Sequence, residues 1–233
     1  LRTVTGVQTC ALPIFFMQKI YFIPGLAADK RLFSLIKLQY ALPVVIEYIK
    51  PLSREPIEEY AFRLSKFITD PDPVIAGVSF GGIMAHEISL HIKTKKVILI
   101  STIKNLKEKP LRYKFIEYSL LQNIISASAI KHMKPAAHLF FGTRTLAESQ
   151  LLDSLIDDAD SEILEWSVNE FLKWSRTTVP ENYTHIHGSD DRVFPITKIT
   201  ADYIINGGNH LMIYSEAKKI SEIIDGILKD KTG

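Results

Sequence analysis

The 233-residue chain has one cysteine, no long apolar run and almost no excess of either charge. One cysteine excludes a disulfide scaffold and a zinc ribbon, each of which needs several. No apolar stretch approaches the ~18–20 residues of a membrane-spanning helix, so no membrane span is expected. Lys and Arg total 28 against 26 Asp and Glu, and no segment is basic enough to track phosphates, so nucleic acid is not an expected partner. Internal repeats and low-complexity tracts are also missing. What the chain does have is apolar content. At 46% hydrophobic residues it can bury a core that offsets chain entropy, and its length suits one domain better than two.

The first sixteen residues fit neither a helical nor an alternating apolar period. As a signal peptide they fail, with one cation (Arg2), no initiator Met and no small-residue cleavage site. Residues 4–14 resemble the translation of a sequencing-library adapter. Residues 1–16 are therefore expected to be a non-native leader, with the natural start at Met17 and one domain over residues 17–233. Without Cys10 the chain needs no oxidising compartment, and a cytoplasmic location is expected.

From Met17 onward, short apolar runs alternate with amphipathic ones. Strands are predicted at residues 19–23, 44–48, 73–77, 96–100, 183–187 and 201–205. Helices are predicted from Asp29 to about Leu38, over 56–68 (apolar at Ile57, Tyr60, Ala61, Leu64, Phe67 and Ile68), over about 80–91 and over 215–228. Continuous apolar strands separated by helices indicate an α/β fold with a parallel sheet covered on both faces. Residues 104–173 break the rhythm. They lack a clear strand and carry helical apolar patterns (Phe115, Tyr118, Leu121, Ile124 and Ile125, then Leu151, Leu155, Ile163 and Leu164), as a helical insertion would.

The strongest chemical signal is Gly77-Val78-Ser79-Phe80-Gly81, a G-x-S-x-G pattern with a strand before it and a helix after it. Side chains at 77 and 81 would collide with backbone in so sharp a turn. The turn exposes the Ser79 hydroxyl and aims a helix N-terminus at negative charge developing beside it. A serine needs a base, and the chain offers histidines 86, 91, 132, 138, 185, 187 and 210. His86 and His91 fall on the helix after the turn, a placement that suits surface or packing roles, and His132 and His138 fall in the insertion, where they line a pocket or lie on the surface. His185 and His187 alternate on a strand. His210 follows Gly207-Gly208-Asn209 in a loop beyond the strand 201–205, where open α/β sheets place their chemistry. Asp190 and Asp191 follow another strand and supply candidate acids, one of them free to cap the helix near Pro195. The order Ser79, Asp191, His210 differs from the chymotrypsin and subtilisin orders.

From about Lys19 to Leu228 the sequence resembles the α/β-hydrolase fold superfamily. Gly77-Val-Ser-Phe-Gly-Gly82 is similar to its nucleophile elbow and Gly207-Gly-Asn-His210 to its histidine loop. His187-Gly-Ser-Asp-Asp191 with Pro195 is similar to its acid loop, which selects Asp191 over Asp190. Residues 23–26 stand where the superfamily has its first-strand loop, with Pro24 in place of the usual His. The resemblance implies an oxyanion hole made by the N–H groups of Leu26 and Phe80. It also implies about six mainly parallel strands with helices on both faces, the opening hairpin missing, and a helical cap over about 104–173. The implied function is a serine hydrolase that cleaves a small-molecule carboxylic ester or thioester through an acyl-enzyme, with no metal or organic cofactor. A lyase, an acyltransferase or a cofactor-free haloperoxidase can carry the same triad, and a non-catalytic binding protein can share the fold. Haloalkane dehalogenases use a carboxylate nucleophile where this chain has Ser79. Phe115, Tyr118, Leu121, Phe140 and Phe141 are candidates for an apolar substrate wall or for cap packing, and Trp166 and Trp174 share that ambiguity.

Overall fold

The computed structural model of the chain describes residues 17–113 and 133–229. The expected leader, the apolar positions 115, 118, 121, 124 and 125, and His132 lie outside the described residues. Six strands form one sheet: β1 (Gln18–Ile23), β2 (Ala41–Val45), β3 (Val74–Val78), β4 (Lys96–Ile100), β5 (Tyr183–Gly188) and β6 (Tyr203–Ile205). Their spatial order is β2-β1-β3-β4-β5-β6, with every pairing parallel. The described helices are α1 (Ile57–Ser65), α2 (Phe80–Ser89), α3 (Lys134–Phe141), α4 (Leu146–Asp158), α5 (Ser161–Lys173), α6 (Met212–Ser215) and α7 (Ala217–Lys229).

The inner strands read as unbroken Ile, Val and Leu because both faces of the sheet are covered. Successive side chains point to opposite faces. Ile20 and Phe22 of β1 pack with Ile220 and Ile224 of α7 and with Leu152 and Ile156 of α4. Tyr21 and Ile23 pack with Tyr60 and Leu64 of α1, Ile83 and Met84 of α2, and Phe171 of α5. Each fully buried side chain of this size contributes about 1.5–3 kcal/mol. Between β4 and β5 the described residues hold α3, α4 and α5 and no strand, in keeping with the helical pattern at Leu151, Leu155, Ile163 and Leu164.

The sheet matches the expected six parallel strands, and the element boundaries differ for local reasons. The second strand lies at Ala41–Val45 rather than 44–48. Pro43 looks like a breaker, but β2 is an edge strand, where a missing N–H costs little. Only three residues of 201–205 join the sheet as β6, because the Asp202 carboxylate takes the His185 N–H at 2.7 Å in place of a strand partner. Asp29 caps as expected, accepting the Arg31 N–H at 2.8 Å, but the helix is a single 3₁₀ turn, Lys30–Phe33. One such turn already buries Leu32 and Phe33. The helix near Pro195 is likewise a short 3₁₀ segment, Ile196–Lys198. The closing helix, expected over 215–228, is α7 at Ala217–Lys229, preceded by the single turn α6.

Two buried histidines set an acid limit on stability. His86 packs edge-on against Trp174, with ring centroids 6.0 Å apart, and His185 packs edge-on against His187 at 5.3 Å. Neither makes a well-formed side-chain hydrogen bond among the described residues. Burial pushes His86 down to about 4. Burial, with His187 and Lys104 nearby, pushes His185 down to about 3. The unfolded chain protonates both below about pH 6.5 while the folded chain does not, so unfolding takes up protons and stability falls as pH drops. Each histidine contributes a slope of about 1.4 kcal/mol per pH unit. The window runs from about pH 6.5 down to about 4 for His86 and to about 3 for His185. The thermal midpoint is expected to fall steadily from pH 6.5 to 4, and His185→Leu should flatten that slope. An unchanged slope in the variant would exclude His185 as a source.

Candidate active site

The spatial order of the sheet reverses at β1, whose neighbours β2 and β3 lie on opposite sides. Loops leaving the carboxyl ends of β1 and β3 diverge there and open a crevice. Ser79 sits at the end of β3 with φ +55° and ψ −121°, a strained conformation for a residue with a Cβ. Surrounding contacts hold it. The Ser79 N–H donates to Ile100 O at 3.0 Å, and the Thr102 hydroxyl donates to Ser79 O at 2.6 Å. The flanking glycines are steric requirements. A Cβ on Gly77 would stand 2.0 Å from Gly81 O, and one on Gly81 would stand 2.1 Å from Ile23 O.

His210 and Asp191 arrive on the loops after the adjacent strands β6 and β5. These loops touch through their glycines, since a Cβ on Gly188 would lie 2.3 Å from Gly208 O. The His210 Nε2 lies 2.9 Å from Ser79 Oγ, and its Nδ1 lies 2.7 Å from Asp191 Oδ2. The other Asp191 oxygen accepts the N–H groups of Val193 at 2.8 Å and Phe194 at 2.9 Å. Asp191 thus both caps the following turn and holds the imidazole, so the two tasks are not divided between Asp190 and Asp191. Asp190 instead pairs with Arg144 at 2.5 Å on the surface. Asp191 and His210 are 3% and 2% exposed, so water competes little for their bond. Burial pushes the Asp191 carboxyl up, but the charge and hydrogen bond of His210, with His187 and the Phe194 N–H, hold it below the ordinary carboxylate range.

The loop after β1 passes beside Ser79. A Cβ on Gly25 would lie 3.2 Å from Ser79 Cβ and 3.8 Å from its Oγ. The loop turns at residues 25–28, with the Ala28 N–H donating to Gly25 O at 3.2 Å. The Tyr48 hydroxyl braces it by donating to Pro24 O at 2.8 Å. Phe80 is the first residue of α2, a position whose N–H has no partner within the helix. A cavity of about 280 Å³ opens beside this loop, lined by Ala27, Ala28, Tyr48, Leu155, Ile163 and Leu164 together with the charged Asp29, Lys30, Arg31, Glu47, Asp158 and Asp160.

Several residues at the site were not singled out by the sequence reading. Thr102 grips the Ser79 carbonyl. His187 donates from Nε2 to Phe194 O at 2.8 Å and stands 3.7 Å from Asp191. Tyr48 holds the first loop. Thr102 and Tyr48 carry no motif of their own, and His187 stands in the acid-loop pattern without a role that the pattern gives it. Among the suggested wall residues, Phe141 packs edge-on to His210 with centroids 4.9 Å apart, whereas Phe140 is 43% exposed. Both tryptophans make structural bonds, Trp166 to Glu55 O and Trp174 to the buried Glu87 carboxylate. His91 is exposed, and His138 is half-buried between Thr143 and Asp153.

Among the described residues no cluster of three His, Cys, Asp or Glu side chains is placed to hold a metal ion, and no helix is long and apolar enough to cross a membrane. No family model and no curated protein matches the chain. Solved structures do. A hydrolase from Oleispira antarctica superposes with a TM-score of 0.72 at 10% identity, covering 92% of both chains. A thermophilic esterase from Thermogutta terrifontis gives 0.62 at 13% identity, covering 91% of this chain and 89% of its own. The type II thioesterase of the yersiniabactin biosynthetic pathway gives 0.62 at 15% identity, covering 89% and 91%.

Proposed function

We propose that this chain, which has the α/β-hydrolase fold, is a serine hydrolase that cleaves a carboxylic ester or thioester by acyl transfer. The observation that carries the reading is the line Ser79 Oγ, His210 Nε2, His210 Nδ1, Asp191 Oδ2, with gaps of 2.9 and 2.7 Å. Ser79 Oγ attacks the substrate carbonyl as His210 Nε2 takes its proton. Asp191 fixes the ring so that Nδ1 carries hydrogen and Nε2 is free to accept. The backbone N–H groups of Leu26 and Phe80 receive the oxyanion, each worth about 3 kcal/mol. The carbon–oxygen or carbon–sulfur bond then breaks as His210 returns the proton to the leaving group. His210 next activates a water that attacks the acyl-enzyme and releases the acid and Ser79.

The insertion over about 104–173 acts as a cap in this reading, with α4 and α5 closing one side of the cavity beside the oxyanion loop. Ala27, Ala28, Leu155, Ile163 and Leu164 give its wall an apolar part, and Asp29, Lys30, Arg31, Glu47, Asp158 and Asp160 a charged one. The esterase and thioesterase among the structural neighbours support both leaving-group chemistries, and chain-length series of p-nitrophenyl esters and acyl-thioesters separate them. A fluorophosphonate is expected to label Ser79 in the parent and nothing in Ser79→Ala. Equal labelling of the variant would remove the nucleophile assignment. Cleavage of a non-ester substrate in preference to every ester and thioester would assign the triad to another reaction.

A further inference from the structure

The joint between α3 and α4 is bonded to the loop that carries His210 at several points. We infer that Glu148, at the start of α4, is a positioning residue for His210, acting through Asn209; the inference rests on the triad reading above. Glu148 is 2% exposed. Its Oε1 accepts from Asn209 Nδ2 at 2.7 Å. Its Oε2 accepts the N–H groups of Arg144 and Thr145 at 2.8 and 2.9 Å and the Thr145 hydroxyl at 3.1 Å. Asn209 also donates to Gly142 O at 2.9 Å and accepts the Leu211 N–H at 2.9 Å. The residue immediately before His210 is therefore held at both ends of its amide.

Neighbouring contacts act in the same direction. The His210 N–H donates to Phe141 O at 3.2 Å, and Arg144 donates to Gly207 O at 2.7 Å. Residues 207 and 208 are glycines and offer the loop no side-chain stiffness, so its precision has to come from outside. Thr145 and Glu148 form a capping box for α4, and a box of this kind needs only the reciprocal bonds between those two residues. The second carboxylate oxygen and the burial are surplus to helix capping, and both are spent on Asn209. Burial pushes the Glu148 carboxyl up, yet Asn209 and the three donors from Arg144 and Thr145 hold it below its ordinary range. It therefore stays a pure acceptor at neutral pH.

Glu148→Gln puts an NH₂ group where either Asn209 or the 144–145 amides need an acceptor. Expected is a fall in kcat, counted per fluorophosphonate-titrated site, of about tenfold to a hundredfold, as a shift of about 1 Å at the base would cause. KM should stay within about threefold. The low-field proton signal of His210 Nδ1–H, assigned by its loss in His210→Ala, should broaden. Should Glu148→Gln not fold, Asn209→Ala, which leaves the capping box intact, is expected to show the same loss of kcat. A folded Glu148→Gln or Asn209→Ala with parental kcat and a sharp Nδ1–H signal would overturn the inference, even with a lowered thermal midpoint. If the parent shows no Ser79-dependent turnover, the triad reading fails, and the proton signal still tests the hold of Glu148 on the loop.

Discussion

Ser79→Ala and His210→Ala are each expected to lower kcat for the best ester substrate by about 10⁶-fold, with the double variant no slower than either single one. In the proposed mechanism Ser79, Asp191 and His210 act as one device. Without the hydroxyl there is nothing for His210 to activate, and without the imidazole the Ser79 hydroxyl keeps its proton. What survives in each variant is the contribution of Leu26, Phe80 and substrate binding, so the losses do not add. The fold should persist in both. Alanine at 79 carries the same Cβ at the same φ of +55° and leaves the Thr102 bond to its carbonyl in place. The rates are to be read beside circular dichroism and thermal midpoints. Losses below about tenfold, or losses that multiply in the double variant, would mean that the two side chains do not work together.

Asp191→Asn should cost about 10⁴-fold in kcat, and Asp190→Asn no more than a few-fold. The reason lies in the hydrogen bonds of Asp191. Its Oδ1 accepts two backbone N–H groups, so an asparagine there turns its carbonyl oxygen to them and its NH₂ group to His210. An NH₂ group facing Nδ1 demands that Nδ1 accept, which moves the ring proton to Nε2 and leaves no base toward Ser79. Asp190 meets Arg144 at a surface where both side chains are about half exposed, and water screens such a pair, so its loss matters little. Steady-state rates of the two variants at neutral pH decide the matter. The opposite ranking would transfer the acid role to Asp190.

The parts of the fold legible in the chain were those with dense local signals. The runs at β1, β3, β4 and β5 are apolar because both sheet faces are covered, and G-x-S-x-G stands out because a steric need for two glycines surrounds one serine. The missed boundaries lie at the sheet edges. At β2 and β6 half the backbone groups face away from a partner, so Pro43 is tolerated and the Asp202 side chain replaces a ladder bond. Neither exception follows from periodicity. Glu148 had a local signature in Thr145-Leu146-Ala147-Glu148, a pattern that indicates a helix start and says nothing about Asn209.

The sequence by itself determined which chemical groups the molecule has to work with: a serine in a turn that only glycines permit, an acid loop and a histidine loop in one chain order, and enough apolar strand to stack a parallel sheet. Local pattern carries that much because strain, alternation and helix period involve residues close together in the chain. Tertiary structure alone decided which partner each group meets. Ser79 and His210 are 131 positions apart, and their contact depends on strand order and on glycines 188 and 208 letting two loops touch, while a buried carboxylate in α4 is bonded to the residue before His210. Those are distances between segments, set by packing across the whole sheet, and no stretch of the chain encodes them alone.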